Sequence, residues 1–475
     1  MAPQEEAGGH LAHRYDLPEV RLKRARPLLW VVLVDVAAVG VFRHGDFFLL
    51  YKADRLLMGL WAVVFMLTVA QWFMSWRERP ATVSRRGMAY LDTLVVAVNV
   101  PVYNEDRAVL DRCLYALFSQ TRLPDIVEVV DDGSAVDYSD VRSYWLRHCP
   151  RGTRLYWVRQ ENRGKKQAQA RTFSSVRADI LVTLDSDTAL ERRAIQEGLK
   201  PFADRRVQSV AGLELAYNHH RNWLTRLSGT RSLIWQLLSC SAQSIFGDVL
   251  VNRGTFALYR AAVIQDNLDA YLYETFFGNP VHLGDDAALT LFARGRGRAV
   301  QQPSAIQLAM YPESLSHLFR QWTRWMRGST VRTFWRIRYL PIMSWSWWFT
   351  VISLWTFLAS TGAVVAAAVE WHSSRAYVLT TLLATGVCAF AQAVRIFSVV
   401  RSDESWFGRF RSFLLSPFVG VWVLFVLRPL RFYGICTCMR QGWVTRTKKV
   451  EVGIGSAAET TGPPDVVRRL EGRPR

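Results

Sequence analysis

Cysteine and lysine are scarce in this chain, and acidic residues are in the minority. Its 475 residues include six cysteines and only seven lysines, and 59 basic residues outnumber 40 acidic ones, for a formal net charge of +19. The cysteines form neither a disulfide framework nor a zinc-ligand pattern, so we expect reduced thiols. No nucleic-acid-binding module accompanies the positive charge, which lies mostly beside hydrophobic segments. We therefore expect contacts with lipid headgroups on the cytoplasmic side, and no nucleic acid.

Hydrophobic runs long enough to cross a bilayer are absent from the middle of the chain. Ahead of it lie Leu28–Phe42, which is marginal in length, and Leu56–Trp76, which reaches the roughly 20 residues that a spanning helix needs. No small-residue cleavage site follows the first run, which argues against a signal peptide. Basic residues flank the pair and predict that both of its ends face the cytoplasm. The predicted boundaries are a cytosolic segment over residues 1–26, two transmembrane helices over 27–76 and a cytosolic domain over 77–311.

Strand-like and helix-like runs alternate within the predicted cytosolic domain. Such alternation predicts βαβ units and a mainly parallel sheet, an α/β fold. A later segment, His219–Phe246, has apolar helical faces but no spanning length, and we predict that it lies against the membrane surface. The predicted strands are Thr93–Val100, Ile126–Val130 and Asp179–Leu184, and the predicted helices are Ala108–Gln120 and Lys165–Val176.

Two carboxylates directly follow the apolar run Ile180–Leu184. A run this short and β-branched predicts a buried strand, and ligands bind at the carboxyl ends of strands in open α/β sheets. If the extended geometry continues through Ser186, Asp185 and Asp187 point to the same side. Such a pair suits Mg²⁺ or Mn²⁺, with diphosphate oxygens completing the coordination shell. The alternative is an acidic turn that closes a core strand and binds nothing.

Polar residues follow two other predicted strands as well. Tyr103 and Glu105 come after the first, and Asp132 comes after the second. Three such strand ends along one sheet edge suggest a nucleotide and metal site. Lys165 and Lys166 stand after a glycine at a predicted helix start, a position that favours a diphosphate. A solvated helix start is the alternative.

Asp285 and Asp286 form another acid pair near a predicted helix, Ala287–Ala293. A buried carboxylate beside a bound donor can act as a general base if it reaches the acceptor hydroxyl. Helix capping by the two side chains is the alternative, because aspartate is favoured at helix N-termini.

Gln321, Arg324 and Trp325 have the spacing i, i+3 and i+4, so they share one face of a helix. An amide, a guanidinium and an indole on one face can hold a diphosphate and stack a sugar. The alternative is a Trp- and Arg-rich interfacial helix that binds no ligand.

Three apolar runs follow towards the C-terminus: Trp345–Val369, Tyr377–Val399 and Phe413–Cys438. Three full spans would leave the basic tail outside, against the positive-inside tendency. Prolines at 417 and 429 allow a re-entrant or broken pair, which would return the tail to the cytoplasm. The predicted boundaries are amphipathic interfacial helices over residues 312–341, transmembrane or channel helices over 342–440 and a basic, partly disordered tail over 441–475.

The motifs occur in the order found in processive family-2 glycosyltransferases, the group of cellulose, chitin and hyaluronan synthases, which the chain resembles from about residue 95 to 449. The finer resemblance is to class I hyaluronan synthases. The shared motifs are Val102–Asp106, Val130–Ser134, Asp185–Asp187, Gly284–Asp286 and Gln321–Trp325, and the finer ones are Asn162–Lys166, Leu224–Leu227, Leu414–Phe418, Arg428–Tyr433 and Trp443–Arg446.

The resemblance implies a Rossmann-like GT-A domain inserted between transmembrane helices of a multi-pass plasma-membrane protein, with its catalytic domain in the cytoplasm. That protein would extend a polysaccharide from UDP-sugars in single inverting displacements and secrete it through its own channel. The implied roles are Tyr103, Glu105 and Asp132 for uridine, Lys166 for the diphosphate, Asp187 with Asp185 for Mn²⁺ or Mg²⁺, Asp286 with Asp285 for catalysis, Gln321, Arg324 and Trp325 for donor and acceptor, and Trp443 and Arg446 for channel gating.

The chain departs from the hyaluronan synthases at three places, of which Asn252–Thr255 and Ala287 lie where the resemblance puts the acceptor sugar and so concern the substrate. Asn252–Thr255 replaces a Cys-Ser-Gly-Pro stretch, and Ala287 and Val444 replace an arginine and a glycine. Arg253 could pair with a glucuronate carboxylate or crowd out N-acetyl groups. A chitin-like synthase that uses one UDP-sugar, a transferase that charges a lipid carrier, and a membrane channel or scaffold with a degenerate transferase domain remain as alternatives.

Overall fold

A computed structural model describes residues 15–23, 66–369, 385–386 and 388–441. The predicted span Leu28–Phe42, residues 56–65 of Leu56–Trp76 and the start of Tyr377–Val399 lie outside these residues, as do residues 442–475 with Trp443 and Arg446. Residues 66–75, 385–386 and 388–393 are helical. The other α-helices are α1 (Arg85–Asp92), α2 (Arg107–Phe118), α3 (Ser139–His148), α4 (Lys165–Ser175), α5 (Ala194–Leu199), α6 (Trp223–Trp235), α7 (Ser241–Phe246), α8 (Ala261–Gln265), α9 (Leu268–Leu272), α10 (Asp285–Arg296), α11 (Leu315–Tyr339), α12 (Trp345–Val369), α13 (Trp406–Leu414), α14 (Ser416–Trp422) and α15 (Arg428–Cys436).

The strands form one large sheet and two short pairs. They are β1 (Val20–Leu22), β2 (Val96–Val102), β3 (Ile126–Asp131), β4 (Arg154–Arg159), β5 (Ile180–Leu184), β6 (Ala189–Leu190), β7 (Val207–Ala216), β8 (Phe256–Arg260), β9 (Thr275–Phe276), β10 (Asn279–Pro280), β11 (Arg298–Ala309) and β12 (Val399–Arg401). The eight-stranded sheet has the order β4-β3-β2-β5-β8-β7-β11-β6. β8 runs antiparallel to both of its neighbours, and β6 runs antiparallel to β11. The other six strands share one direction, so the sheet is mixed.

The strands and helices predicted between residues 77 and 311 are present, with shifted ends. The first predicted strand began at Thr93, but Thr93 caps α1 and its backbone N–H bonds to Tyr90 and Leu91. The strand therefore begins at Val96. Valine, leucine and isoleucine side chains of β2, β3 and β5 are buried and form the main core with α2, whose N-terminus is capped by the Asp106 carboxylate. This core fixes the carboxyl ends of β2, β3 and β5 at one edge of the sheet.

The segment predicted to lie on the membrane surface is instead largely enclosed by protein. α6 packs against β7 on one side and against α13 and α14 on the other. A capping box at Asn222 and Thr225 begins the helix, and a π-helical turn at Gln236–Cys240 connects it to α7. Trp223 at its start is 59% exposed, whereas Leu224 and Leu227 are buried.

The C-terminal helices match the predicted apolar runs in part, since α12 has the predicted bounds Trp345–Val369 and the later helices do not. In the part of the chain that the structure describes, one helical stretch, Trp406–Cys436, is long and apolar enough to cross a membrane. It contains α13, α14 and α15 without a re-entrant break, because Pro417 and Pro429 stand in the first turns of α14 and α15, where proline is tolerated. The predicted span Tyr377–Val399 ends early, since Val394–Ser398 is a 3₁₀-helix and Val399 begins β12, which pairs with β1.

Candidate active site

A cavity of about 910 Å³ opens at the carboxyl edge of the large sheet. It collects side chains from four strand ends and from the first turns of α4 and α10, and α11 closes one side. Ten of the eleven predicted site residues that lie among the described residues line it: Tyr103, Glu105, Asp132, Asp185, Asp187, Asp285, Asp286, Gln321, Arg324 and Trp325. Lys166 does not line it, and Trp443 and Arg446 lie outside the described residues.

The chain turns immediately after β5 and does not continue as a strand through Ser186. The turn is closed by a hydrogen bond from the Thr188 N–H to the Asp185 carbonyl, and both carboxylates face the cavity. The buried Arg112 guanidinium donates to the Asp187 carbonyl at 3.1 Å and holds the turn against α2. Asp185 and Asp187 therefore line the same cavity by way of a turn, and the extended geometry on which the prediction depended is absent at these residues.

Glu105 and the acidic turn are connected directly. The Ser186 hydroxyl donates to Glu105 Oε2 at 3.0 Å, and Glu105 is buried. The preceding residue, Asn104, has a φ of 48°, in the left-handed region that asparagine tolerates, and its side-chain oxygen accepts from the Ala135 N–H. The strand ends of β2, β3 and β5 are thus joined into one rigid edge.

Asp132 organises the loop that leads into α4. Its carboxylate accepts hydrogen bonds from the Gln160 amide at 2.8 Å, from the Arg163 N–H at 3.0 Å and from the Gly164 N–H at 2.8 Å. Gly164 caps α4 with a φ of 89°, a conformation that glycine adopts without strain. Asp132 therefore fixes the position of Lys165, the first residue of the helix.

Lys166 was predicted to contact a diphosphate, but it is Lys165, and not Lys166, that lines the cavity. Lys165 Nζ lies 2.7 Å from Asp185 Oδ1 and 3.3 Å from Asp285 Oδ2, and it lines the cavity. Successive helix residues point about 100° apart, so Lys166 cannot share this direction. Its ammonium instead pairs with Glu274 and donates to the Val281 carbonyl at 2.7 Å.

Lys166, Glu274 and Arg332 form a buried ionic cluster beneath the cavity. Arg332 is fully buried and donates to both Glu274 oxygens, at 2.9 and 2.5 Å, and to the Gly284 carbonyl at 3.0 Å. The cluster connects α4, the segment before β9, and α11. Sequence reasoning missed Glu274 and Arg332 because nothing in their local sequence distinguishes them from surface charges.

The two acids of α10 have different environments. Burial raises the pKa of Asp285, but attraction to Lys165 and Lys166 outweighs this effect, and its pKa is lowered. Burial, and then repulsion from Asp285, raise the pKa of Asp286 to about 6, against the attraction of Lys165. Among the described residues no lysine or arginine forms an ion pair with Asp286, which accepts a hydrogen bond from the Ala287 N–H at 2.7 Å.

The face formed by Gln321, Arg324 and Trp325 lies on α11, as predicted, and borders the cavity. α11 approaches the start of α10 closely, since a Cβ on Gly328 would lie 3.0 Å from the Gly284 nitrogen. Gly284 caps α10 with a φ of 78° and no side-chain hydrogen bond, so neither aspartate occupies the N-cap position. The Trp325 indole is 42% exposed in the cavity wall and lies 5.8 Å from the Trp322 ring.

Arg253, which sequence reasoning placed in the acceptor pocket, is already paired. Its guanidinium forms an ion pair with Glu214 at the end of β7. Glu214 also accepts hydrogen bonds from the Thr255 hydroxyl at 2.7 Å and from the Tyr311 hydroxyl. All four residues line the cavity. A glucuronate carboxylate would therefore compete with Glu214 for Arg253, and the suggestion that Arg253 crowds out N-acetyl groups stays a prediction.

The cavity continues from the acidic edge to the apolar helices. Its far walls come from residues 67–74, from α12 and from the start of α15. Arg428 and Arg431 project there, with Arg431 4.0 Å from the Phe357 ring and Arg428 bonded to the Thr361 hydroxyl at 3.1 Å. One continuous space therefore joins the strand-end acids to the helices.

Comparison with known proteins shows the family of this chain. Residues 94–328 match the family model described as "Glycosyltransferase like family 2". The chain is 32% identical to the hyaluronan synthase of Streptococcus pyogenes serotype M1 over 360 residues, which cover 74% of this chain and 83% of that protein. The chain belongs to glycosyltransferase family 2.

Other similar proteins extend the comparison. An N-acetylglucosaminyltransferase of Azorhizobium caulinodans is 27% identical to this family-2 enzyme over 359 residues, which cover 74% of this chain and 87% of that protein. Among solved structures, a mannosyltransferase from Pyrobaculum calidifontis in complex with GDP-mannose and Mn²⁺ aligns with a TM-score of 0.45 and 20% identity, over 71% of this chain and 96% of that one. The family assignment and the mixed sheet identify residues 94–328 as a GT-A-like domain.

A second group of possible metal ligands lies away from the active site of this glycosyltransferase. Ligand atoms of His219, His220 and Asp403 lie within 4.8 Å of one another. Both Asp403 oxygens are occupied by Arg401, at 2.8 and 2.7 Å, and none of the three residues lines the active-site cavity. The strand-end acids are therefore the better candidate for a metal that takes part in transfer.

Proposed function

We propose that this glycosyltransferase is a processive, inverting hexosyltransferase that polymerises UDP-sugars at the sheet edge and passes the polysaccharide through the space between its own helices. Hyaluronan, made from UDP-N-acetylglucosamine and UDP-glucuronate, is the leading product. The observation that carries the proposal is the continuity of the cavity, from Asp185 and Asp286 at one end to Arg428 and Arg431 at the other. An enzyme that released each product after a single transfer would not need this extension.

The nucleotide end of the cavity is where β2 and β3 finish. Tyr103, Glu105 and Asp132 lie there, and we assign the uridine to their surroundings. Asp132 also accepts hydrogen bonds from the backbone N–H groups of Arg163 and Gly164. It thereby positions the loop that places Lys165 at the start of α4. We assign the diphosphate contact to Lys165, because an ammonium group at a helix N-terminus attracts phosphate oxygens.

Asp185 and Asp187 fit a divalent cation. Burial raises the pKa of Asp185 to about 6, and repulsion from Asp187 contributes even though Lys165 opposes it. Two hard oxygen donors that repel each other at the mouth of a diphosphate site are a suitable ligand set for Mn²⁺ or Mg²⁺. When bound, the ion would stabilise negative charge on the departing UDP. We propose Asp187 as its main ligand, because Lys165 already engages Asp185.

We propose Asp286 as the general base. It lies in the cavity wall, and it lacks the cation that engages Asp285. A carboxylate with a pKa of about 6 accepts a proton more readily than an ordinary aspartate and is still ionised at pH 7. It would take the proton of the acceptor hydroxyl while Trp325, Gln321 and Arg324 hold the acceptor and donor.

The placement of the chain in the plasma membrane, with a cytoplasmic catalytic domain and several membrane spans, is part of the same proposal. The apolar stretch Trp406–Cys436 supports it.

The test is a donor assay with the full chain reconstituted in lipid nanodiscs. UDP-N-acetylglucosamine and UDP-glucuronate supplied together should give a hyaluronidase-sensitive polymer, and neither alone should do so. A polymer from UDP-N-acetylglucosamine alone would indicate a chitin-like synthase, a possibility that the similarity to the Azorhizobium enzyme supports. No polymer from either donor would contradict the hyaluronan proposal.

A further inference from the structure

Arg231 is a cation in the cavity wall that has no acidic partner among the residues that the structure describes. It lies on α6, and its guanidinium carbon is 4.4 Å from the centre of the Trp322 ring. Among the described residues no carboxylate forms an ion pair with it. Burial lowers the pKa of Arg231 to about 10, with Tyr311 and Glu214 opposing this effect. An arginine remains charged under these conditions, so the cavity contains a partly desolvated positive charge.

The neighbouring Arg253 provides a contrast within the same wall. Arg253 is neutralised by Glu214, whose oxygens also accept from Thr255 and Tyr311. Glu214 is thus already engaged by Arg253, Thr255 and Tyr311, and it forms no ion pair with Arg231. Burying a charge without a partner is costly, and a ligand carboxylate at this position would offset that cost.

The position of Arg231 separates it from the diphosphate site. Its partner Trp322 donates through Nε1 to the Leu427 carbonyl at 3.2 Å, where α11 meets the C-terminal helices. Trp322 also lies 5.8 Å from Trp325. Asp185 at the end of β5 and Asp285 at the start of α10 are instead engaged by Lys165. Arg231 thus lies on the route from the proposed transfer site towards the apolar helices.

We propose that Arg231 binds the carboxylate of a hexuronate sugar, with the indole rings of Trp322 and Trp325 as the adjoining sugar-binding walls. The inference rests on the proposed function and adds the residue that selects an acidic sugar. A guanidinium can bind a carboxylate through two parallel hydrogen bonds, a geometry that a lysine cannot reproduce. The carboxylate comes either from the acceptor chain or from the UDP-uronate donor, and the two sources are separable.

The test uses the full chain in nanodiscs with Arg231→Met, Arg231→Lys and the matched control Arg327→Met. Arg327 is on the same helix as Trp322 and also lies over an aromatic ring, that of Tyr433, but it does not line the cavity. One arm compares oligosaccharide acceptors that end in glucuronate with the same acceptors after reduction of the carboxyl to an alcohol. The other arm compares kcat/KM for UDP-glucuronate and UDP-glucose. UDP affinity and thermal unfolding are measured for every variant.

The wild type and Arg327→Met should prefer the carboxylate in one of the two arms by about 10- to 100-fold, the range expected for hydrogen bonds to a charged group. Preference in the acceptor arm identifies the polymer as the source of the carboxylate, and preference in the donor arm identifies the UDP-sugar. Arg231→Met should abolish that preference and Arg231→Lys should reduce it, with UDP affinity unchanged. The inference would be overturned if the wild type incorporates the uronate and both Arg231 variants keep the wild-type preference for the carboxylate. The proposed function would then remain intact. A wild type that polymerises only neutral UDP-sugars would contradict the hyaluronan proposal itself, and the uronate role of Arg231 with it.

Discussion

The ammonium of Lys165 lies 2.7 Å from the Oδ1 atom of Asp185, across the gap between the start of α4 and the end of β5. The same ammonium lies 3.3 Å from Asp285 on α10. One lysine thus joins the proposed metal ligands to the proposed catalytic acids. Its neighbour Lys166 is buried with Glu274 and takes no part in the cavity.

Substituting Lys165 and Lys166 one at a time separates an effect on UDP binding from an effect on the stability of the fold. Lys165→Met should lower turnover and UDP affinity by roughly 10- to 100-fold, because a charged hydrogen-bond donor to the diphosphate is lost. Lys166→Met should mainly lower the unfolding temperature, because it leaves Glu274 and Arg332 without their third partner. Calorimetric titration with UDP and thermal unfolding measure the two effects. A stable Lys166→Met protein that has specifically lost UDP affinity would restore Lys166 to the site.

Removal of the metal should abolish transfer. Asp187→Ala should remain folded and lose turnover, since the proposed main ligand of the cation is missing. EDTA should inactivate the wild type, and Mn²⁺ or Mg²⁺ should restore it. The matched variant Asp204→Ala removes an acid that pairs with Arg206 and does not line the cavity, and it should keep its activity. Full activity in EDTA would contradict the assignment.

Asp286 should determine the acidic limb of the pH profile. Its pKa is raised to about 6, and a general base acts only when deprotonated, so the rate should fall about tenfold per pH unit below that value. Asp286→Asn should lower turnover by about 10²–10⁴-fold while UDP still binds, and its residual rate should lack this limb. A normal rate in Asp286→Asn would move the base to another residue.

The buried cluster under the cavity should contribute to stability. Glu274→Gln leaves the buried Lys166 and Arg332 without a counter-charge, which should lower the free energy of unfolding by about 3–5 kcal/mol. Asp266→Asn breaks an exposed ion pair with Arg296 and should cost no more than about 1 kcal/mol. Denaturant unfolding in detergent measures both. Equal effects of the two substitutions would show that the cluster has no special role.

Much of the sheet edge was predictable because it depends on local sequence. The apolar run Ile180–Leu184 forms a buried strand, and the polar residues after β2, β3 and β5 meet at one edge as parallel strands require. The helical face of Gln321, Arg324 and Trp325 also follows from spacing alone. These features need no knowledge of distant contacts.

The predictions that differ from the structure concern features that depend on tertiary contacts. Which of two adjacent lysines faces the cavity depends on the rotation of α4, and that rotation is fixed by Asp132, which bonds to Gly164, and by Glu274. Arg253 looked like a free cation because its partner Glu214 is 39 residues away on β7. Arg231 carried no signal in the sequence, because only the structure shows that, within the described part of the chain, no carboxylate forms an ion pair with it.

The central claim is that synthesis and export of the polysaccharide take place in one cavity. The direct measurement uses proteoliposomes that contain the purified full chain. Both UDP-sugars are added outside the vesicles, so they reach only the protein molecules whose catalytic domain faces outwards. Polymer should accumulate inside the vesicles, protected from added hyaluronidase until detergent is introduced, and Asp286→Asn should give none. Polymer that forms at the normal rate but remains outside and accessible to the hydrolase would contradict the claim that the chain moves its product through its own helices.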